Sequence, residues 1–240
     1  MRAVKGKKGS KDDNVDSRHI VPTNDYSVNM KPIPAAGSAE AAAPTPRPYH
    51  HGDLRNALVE AGLKLLEARK PGDAQDDLGL REVAREVGVS PTAIYRHFPD
   101  KQALKVALAA EGLARLAQRQ QQASVQAGGG SAGFLASGLS YVHFAAEHPV
   151  LFRLVFSFSQ PEDLLDAPPA KMPANLRALR ADIDRLLPTD WPAARRKATA
   201  LHAWALVHGL AMLVLDQQIP PDWALIERVL TGFGAVVTPG

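Results

Sequence analysis

The sequence predicts an all-α protein, and three observations lead to that prediction. Apolar residues recur at spacings of three and four along most of the chain after residue 51, as they do on one face of a helix. No segment shows the alternation of apolar and polar residues that a half-buried strand requires. Prolines and glycines separate the apolar segments and so mark where one helix ends and the next begins.

Composition places the chain among cytoplasmic proteins. Its 240 residues are 45% hydrophobic and include no cysteine, which excludes disulfides and thiol chemistry and suits a reducing compartment. No apolar segment of signal-peptide length follows the basic start of the chain, so we do not expect secretion. Residues 47–101 carry nine basic and nine acidic residues, so net charge alone does not predict a nucleic-acid partner.

The first predicted helix spans roughly residues 52–68. Leu54, Leu58, Ala61 and Leu65 follow one another at spacings of four, three and four residues, which is the stripe of a half-buried helix. A loop rich in Pro, Gly and Asp at 70–77 separates it from the second helix.

The next two helices form a helix-turn-helix. Val83 and Val87 give the first of them an apolar face, and Ala84 is small where the second must cross closely. Gly88 stands at the turn, where a positive φ is needed. Ser90 is expected to cap the following short helix, with Pro91 at its first position.

The short helix is suited to a DNA groove. Ile94 and Phe98 are four residues apart and face inward, so the polar side chains between and around them project outward. These are Thr92, Tyr95, Arg96 and His97. Hydroxyl, aromatic and basic groups on a short helix can contact phosphates and base edges together.

This stretch, and above all the segment VSPTAIYRHFPDK at 89–101, resembles the TetR family of bacterial transcriptional regulators. The resemblance covers residues 49–108 and implies an operator-binding module. By position it implies base reading by Arg81, phosphate and base contacts by Thr92, Tyr95 and His97, and a phosphate clamp at Lys101. The full predicted DNA-binding set is Gly79, Arg81, Ser90, Pro91, Thr92, Tyr95, Arg96, His97 and Lys101.

Two positions depart from the family pattern. Gly79 stands where a capping Thr or Ser is usual, and Ala93 stands where many members have Thr. Each departure removes one hydroxyl group that could contact DNA. They bear on which operator is bound rather than on DNA binding itself.

The remainder of the chain is predicted to be helical as well. A long helix runs from residue 101 to about 122 and is followed by the breaker Gly128-Gly129-Gly130. Further helices are expected at 132–147, 149–158, 174–187, 192–217 and 222–236, with prolines between them.

The last two predicted helices are candidates for dimerisation. The run 203–215 is almost wholly apolar but too short to span a bilayer, so it must be buried in a core or against a partner chain. TetR-like proteins dimerise through their last two helices, which implies a homodimer here. The predicted interface comprises Gly209, Leu213, Asp216, Ile226, Leu230 and Phe233.

The C-terminal helices also resemble one subtype of the family. The segments 148–156 and 204–209 are similar to a C-terminal subtype named for its Trp/His/Gly signature. Bundles of this family often enclose an effector pocket, which implies a small apolar or aromatic effector. The candidate pocket residues are Tyr141, Phe144, His148, Phe152, Phe156, Trp204, His208 and Met212. For any one of them taken singly, core packing is the role that we favour.

No enzymatic motif is present. The chain contains no nucleophile elbow, phosphate loop or zinc pattern. His143 and Glu147 are four residues apart on one helix, yet no Glu-x-x-His pair accompanies them. We therefore predict no metal, no cofactor and no catalytic residue.

Together these observations predict a disordered basic and Pro/Ala-rich tail at 1–47, a helix-turn-helix DNA-binding domain at 48–109, and an effector-binding and dimerisation domain at 110–238. The predicted function is a ligand-responsive repressor that binds a palindromic operator as a dimer, without a membrane partner. The alternatives are a ligand-free helix-turn-helix dimer and a small helical metalloenzyme. The tail is either a basic arm for the DNA backbone or, as we favour, a solvated tail or an over-extended gene start.

Overall fold

The computed structural model describes residues 51–69, 78–158 and 164–237, and of 51–53 and 233–237 it describes the backbone alone. Every regular element in these residues is an α-helix, which confirms the all-α prediction. In chain order the helices are α1 (His51–Glu67), α2 (Leu80–Val87), α3 (Pro91–Tyr95), α4 (Lys101–Gln126), α5 (Gly130–Glu147), α6 (Pro149–Val155), α7 (Ala174–Leu186), α8 (Ala193–Leu215) and α9 (Trp223–Val237). The tail at 1–47 and the loop at 70–77 lie outside the described residues.

Helix α4 is about one turn longer than the sequence predicted. It continues through the glutamine-rich stretch to Gln126, because glutamine and alanine are good helix formers even on a fully polar surface. Its end is set by Gly128, Gly129 and Gly130, whose φ angles are +85°, +71° and +59°. Three consecutive residues in this region are tolerated only as glycine, and they separate α4 from α5.

Helix α1 packs against α2 and against the first half of α4, and α2 packs in turn against α3. Leu58, Val83, Ile94, Phe98 and Leu104 are fully buried in the shared core. The first and fourth helices cross closely at Gly62, where a Cβ atom would lie 2.8 Å from Cδ2 of Leu108. The helix-turn-helix is thereby fixed to the N-terminal half of α4.

The same helix continues into the C-terminal bundle. Leu108 and Leu116 belong to one core cluster together with Tyr141 of α5 and Phe152 of α6. At Gly112 a Cβ atom would lie 2.7 Å from Leu151, so α4 and α6 are also in close contact. Helix α4 therefore continues across the point between residues 109 and 110 where we placed the domain boundary. That boundary stays a prediction.

The rest of the bundle is built on α5 and α8. Val142, Leu210, Ile226 and Leu230 form a buried cluster that joins α5, α8 and α9. Helix α7 packs against both α4 and α8. By length and composition alone α8 could cross a membrane, with a mean hydropathy of 1.7, and only 17% of its apolar window is buried within the described chain. That leaves a large apolar surface on a helix that packs against its neighbours in the bundle.

Candidate DNA-binding surface and C-terminal cavity

The turn between α2 and α3 has the predicted geometry. Gly88 adopts the left-handed conformation with φ +77°, and the N–H of Val89 donates to the carbonyl oxygen of Ala84 at 2.9 Å. Ala84 is completely buried, and its small side chain permits α2 and α3 to cross closely at this point. These local features fix the angle at which α3 leaves α2.

Helix α3 is anchored from below and exposed above. Ser90 is its N-cap residue, with an extended backbone but no hydrogen bond from its side chain, and Pro91 occupies the first helical position. Ile94 and Phe98 are buried and hold the helix to the core. Its opposite side, which carries Thr92, Tyr95 and Arg96, is exposed, while His97 is half-buried.

Gly79 contributes backbone rather than side chain. It is the N-cap of α2 and adopts an extended conformation. Its N–H donates to the carboxylate of Glu82 at 3.4 Å, and Glu82 also forms an ion pair with Arg69 at 3.1 Å. Glu82 therefore supplies one half of a capping box, while its own N–H, which an N-cap hydroxyl would otherwise accept from, donates to the carbonyl oxygen of Gly79 at 3.1 Å.

Three basic groups around α3 form no ion pair with the acidic residues that the structure describes. Among the described residues, Arg81, Arg96 and Lys101 have no acidic partner, while Glu82 and Glu86 pair with Arg69 and Lys64. The acids of α2 are thus used by cations on the preceding segment. Unpaired cations beside an exposed aromatic and a hydroxyl group form a surface that suits a phosphate backbone.

Lys101 starts the long helix. The side chain of Asp100 caps α4 by accepting a hydrogen bond from the N–H of Ala103 at 2.7 Å. This cap fixes the direction of α4 directly beside α3. Because α4 is one continuous helix from Lys101 to Gln126, a shift of its C-terminal end would also move Lys101.

A cavity of about 350 Å³ lies in the C-terminal bundle. It is lined mainly by apolar and small side chains from α4, α5, α7, α8 and α9, and exposed members of the lining such as Ser131, Ala132 and Ala178 show where it opens to the surface. The volume lies within the range of about 300–1,000 Å³ that small-molecule sites occupy. No Lys or Arg is among its lining residues.

A few polar groups interrupt this apolar wall. Oε1 of Gln120, Oδ1 of Asn175 and Nε1 of Trp204 belong to lining residues and are buried without a hydrogen bond of normal geometry. The Trp204 indole is still close enough to the Tyr141 hydroxyl to lower that group's pKa, against a larger raising effect of burial. Buried polar atoms usually have a hydrogen-bond partner, so these three atoms mark where an ordered water or a polar group of a bound molecule would be held.

Two of the eight predicted pocket residues line this cavity, namely Tyr141 and Trp204. Phe144 and Phe152 are buried in the main core, and Met212 and Phe156 pack against it. His208 accompanies Tyr141, Phe152 and Phe156 in an aromatic cluster. His148 lies elsewhere, 3.3 Å from the carboxylate of Glu67 in α1.

The sequence analysis missed the contribution of α4 and α7 to the cavity. Gln120, Asn175, Leu179 and Asp182 all line it. The available signal was the spacing of Asn175, Leu179 and Asp182 by four and three residues, which places them on one face of α7. His143 and Glu147 were considered as metal ligands. The ring of His143 stacks on that of Trp223 with centroids 3.8 Å apart, and the carboxylate of Glu147 forms an ion pair with Arg119 at 2.6 Å.

An exposed apolar stripe runs along the last two helices. Leu201, Ala205, Gly209 and Leu213 follow at intervals of four on α8 and are exposed, as are Leu225 and Val229 on α9. Ile226 and Leu230 face the opposite way into the chain's own core, so within the single chain they are already buried, and their assignment to an interface stays a prediction. The remaining predicted interface residues are Asp216, which pairs with Arg153, and Phe233, whose side chain lies outside the described residues.

The comparisons with known proteins agree for both halves of the chain. Residues 75–108 match the family of bacterial regulatory proteins, tetR family, and residues 134–233 match the tetracyclin repressor-like C-terminal domain. A protein of unknown function from Rhodococcus sp. RHA1 has a similar structure, with 31% identity, a TM-score of 0.58, and coverage of 80% of this chain and 97% of that one.

Two further solved structures share the fold. A tetR-family transcriptional regulator from Streptomyces coelicolor is 23% identical with a TM-score of 0.52, over 76% of this chain and 81% of that one. A TetR family transcription regulator from Marinobacter aquaeolei VT8 is 17% identical with a TM-score of 0.53, over 75% and 93%.

Proposed function

The chain belongs to the TetR family of bacterial regulatory proteins and is a non-enzymatic, DNA-binding transcriptional regulator, and from that premise we propose that it is a cytoplasmic, homodimeric repressor released from its operator by a small, largely apolar ligand. We assign operator contacts to Arg81, Thr92, Tyr95, His97 and Lys101. These residues surround α3 on the surface whose cations have no partner in the described chain.

One observation carries the ligand response. Helix α4 begins at Lys101 beside the DNA-binding surface and contributes Gln120 to the wall of the cavity. Its 26 residues span about 39 Å at 1.5 Å per residue. A ligand that favours one position of α4 over another thereby biases the position of the whole DNA-binding module.

The dimer is proposed on the exposed apolar stripe of α8 and α9. Four of the large hydrophobic side chains exposed in the described chain lie there, at Leu201, Leu213, Leu225 and Val229. Gly209 sits in the middle of the stripe, and a Cβ atom built on it would meet nothing within 4 Å. Glycine inside a helix costs about 1 kcal/mol relative to alanine, so close approach by a second copy of the chain gives this residue a use.

In the dimer the two DNA-binding modules would face adjacent turns of one duplex. Helix-turn-helix dimers bind half-sites about 34–36 Å apart, or multiples of this distance. A near-palindromic operator follows from the two-fold symmetry of such a dimer. The ligand-free alternative, a constitutive DNA-binding dimer, gives no use to the cavity or to its unpartnered polar atoms.

The test uses operator DNA selected by the protein from a random duplex pool. We expect an apolar ligand found by thermal-shift screening to release that DNA in fluorescence anisotropy. Ala203→Trp, on the cavity wall, should abolish both responses while leaving DNA affinity unchanged. Ala181→Trp is the matched control, because Ala181 is exposed on α7 and does not line the cavity. Equal responses of the two variants would place ligand binding elsewhere, and the absence of any responding compound would favour the ligand-free alternative.

A further inference from the structure

Three polar groups of the cavity wall present hydrogen-bond acceptors, beside serine, threonine and tyrosine hydroxyl groups that can both donate and accept. Asp182 contributes a carboxylate, and Gln120 and Asn175 contribute amide oxygens that are buried without partners. The indole N–H of Trp204 is a donor on the wall, and it lies close to the Tyr141 hydroxyl. Since no Lys or Arg is found among the described residues that line the cavity, this part of the wall offers no cationic donor.

The orientation of the Gln120 amide is fixed by its neighbour. Its Nε2 donates to the carbonyl oxygen of Ser137 at 3.4 Å and lies 3.3 Å from the Ser137 hydroxyl. A carbonyl oxygen can only accept, so turning the amide over would place two acceptors against each other. The Oε1 atom of Gln120 is therefore the atom left without a partner, and it can accept a hydrogen bond from a donor group on a bound ligand.

Among the described residues that line the cavity, Asp182 alone is charged, and Arg185 forms an ion pair with it. Arg185, one turn further along α7, lies 2.6 Å away but is 67% exposed, whereas the Asp182 side chain is only 18% exposed. Burial raises the pKa of the Asp182 carboxyl group, and Arg185 opposes this shift only in part. A second cation bound inside the cavity would offset the remaining cost of holding this carboxylate away from water.

We propose, resting on the proposed ligand-binding function of the cavity, that its ligand is a largely apolar amine that is cationic at neutral pH. The ammonium group lies at Asp182. Asn175 is seven residues before Asp182 on the same face of α7, about 10 Å along the helix, so the apolar body of the ligand extends from Asp182 towards the Asn175 end. Any further donor on that body meets the oxygen of Asn175 or Gln120.

Anionic ligands are disfavoured by the same wall. A carboxylate or phosphate in the cavity would face Asp182 and two carbonyl oxygens without a lysine or arginine to compensate its charge. Like charges in a partly buried site raise the free energy of the complex far more than they would in water. Discrimination between amine and acid should therefore be larger than discrimination between amine and alcohol.

The test compares three probes of equal chain length, octylamine, octanol and octanoate, by calorimetry and by tryptophan fluorescence on the full chain. We expect octylamine to bind at least about tenfold more tightly than octanol, and octanoate to bind most weakly. Asp182→Asn should remove the preference for the amine while leaving octanol affinity unchanged. Arg185→Gln is the matched control, because it breaks the same ion pair from outside the cavity and should keep the preference.

The outcomes separate the ligand class from the function of the cavity. If octanol binds and releases operator DNA but octylamine has no advantage, the amine proposal is overturned while ligand-responsive repression stands. The tightest binding by octanoate, or an unchanged amine preference in Asp182→Asn, overturns it likewise. If no probe binds and none of them shifts the melting temperature, both the ligand class and the proposed use of the cavity fail.

Discussion

The hydroxyl oxygen of Tyr141 lies 2.9 Å from Nδ1 of His208, and this hydrogen bond joins the cavity to the core behind it. Tyr141 lines the cavity and is 1% exposed. Its ring also meets the edge of Phe152 in α6, with centroids 5.4 Å apart. A ligand in the cavity therefore touches a residue whose far side is held by α6 and α8.

We predict that Tyr141→Phe destabilises the folded chain by roughly 1–3 kcal/mol, because a partly buried imidazole nitrogen loses its hydrogen-bond partner. Chemical denaturation followed by circular dichroism measures the effect. Tyr95→Phe is the matched control, since Tyr95 is 46% exposed on α3 and losing its hydroxyl group should change stability by less than about 0.5 kcal/mol. Equal effects in the two variants would mean that the Tyr141–His208 bond contributes nothing net.

A second prediction concerns acid. Burial lowers the pKa of His208 below its ordinary value, so the folded chain favours the neutral ring while the unfolded chain takes up a proton near pH 6.5. Stability from this group is therefore complete above pH 6.5 and declines as pH falls below it. His208→Gln, which can still pair with Tyr141, should make the melting temperature less sensitive to pH between 7.5 and 5.

The His208→Gln variant should retain some acid sensitivity. The pKa of His143 is also lowered, chiefly by burial and partly by Arg119, although Glu147 opposes the shift. Replacing both histidines should therefore flatten the pH profile more than replacing either alone. A profile identical to that of the parent chain in the double variant would show that other groups control acid unfolding.

The DNA-binding helices were predictable because their determinants are local. A positive φ at Gly88, an N-cap at Ser90 and inward positions four apart at Ile94 and Phe98 each depend on a few neighbouring residues. Sequence spacing is sufficient to place such features. The largest error of length, at the end of α4, arose because the helix was predicted to stop in the polar glutamine-rich stretch, whereas the glycines after that stretch set its end.

The cavity was harder to predict because a cavity is formed where side chains are small. The sequence analysis looked for aromatic residues, and Phe144 and Phe152 fill the core instead. Much of the real wall is made of small residues such as Ala117, Ser137 and Gly138, whose shared location depends on how five helices pack. Close packing of the large side chains elsewhere leaves the space beside the small ones.

Which face of α9 is exposed could not be predicted from the sequence, for a related reason. Leu225, Ile226, Val229 and Leu230 form two adjacent stripes, about 100° apart around the helix, and both are apolar. Periodicity cannot tell which of them faces the chain's own core. The structure places Ile226 and Leu230 inside and leaves Leu225 and Val229 exposed.

A third prediction concerns DNA affinity. Lys101→Ala should weaken binding to all duplexes alike and reduce the slope of log K against log salt by about 1 per half-site, because one phosphate contact is lost. The measurement is fluorescence anisotropy across a salt series. Lys171→Ala is the matched control, because Lys171 is an exposed lysine before α7, far along the chain from α3. An unchanged salt slope in Lys101→Ala would remove this residue from the DNA-binding surface.

The last prediction concerns the dimer and uses the exposed stripe of α8. Leu213 is 42% exposed in the single chain, so Leu213→Asp should leave the fold of each chain intact. In a two-fold dimer the same substitution enters the interface from both sides and would bury two carboxylates that take the place of apolar contacts. Sedimentation velocity should therefore show a dimer for the parent chain and a folded monomer for the variant.

Val106→Asp tests whether that outcome is specific to the stripe. Val106 is 50% exposed on α4, so the substitution places the same charge on a comparably exposed apolar residue away from α8 and α9. The variant should remain dimeric. Gly209→Ala adds a subtler measurement, since alanine should stabilise the isolated helix by about 1 kcal/mol yet weaken association if a second backbone lies against residue 209. A dimer that survives Leu213→Asp, or one tightened by Gly209→Ala, would move the interface off this stripe.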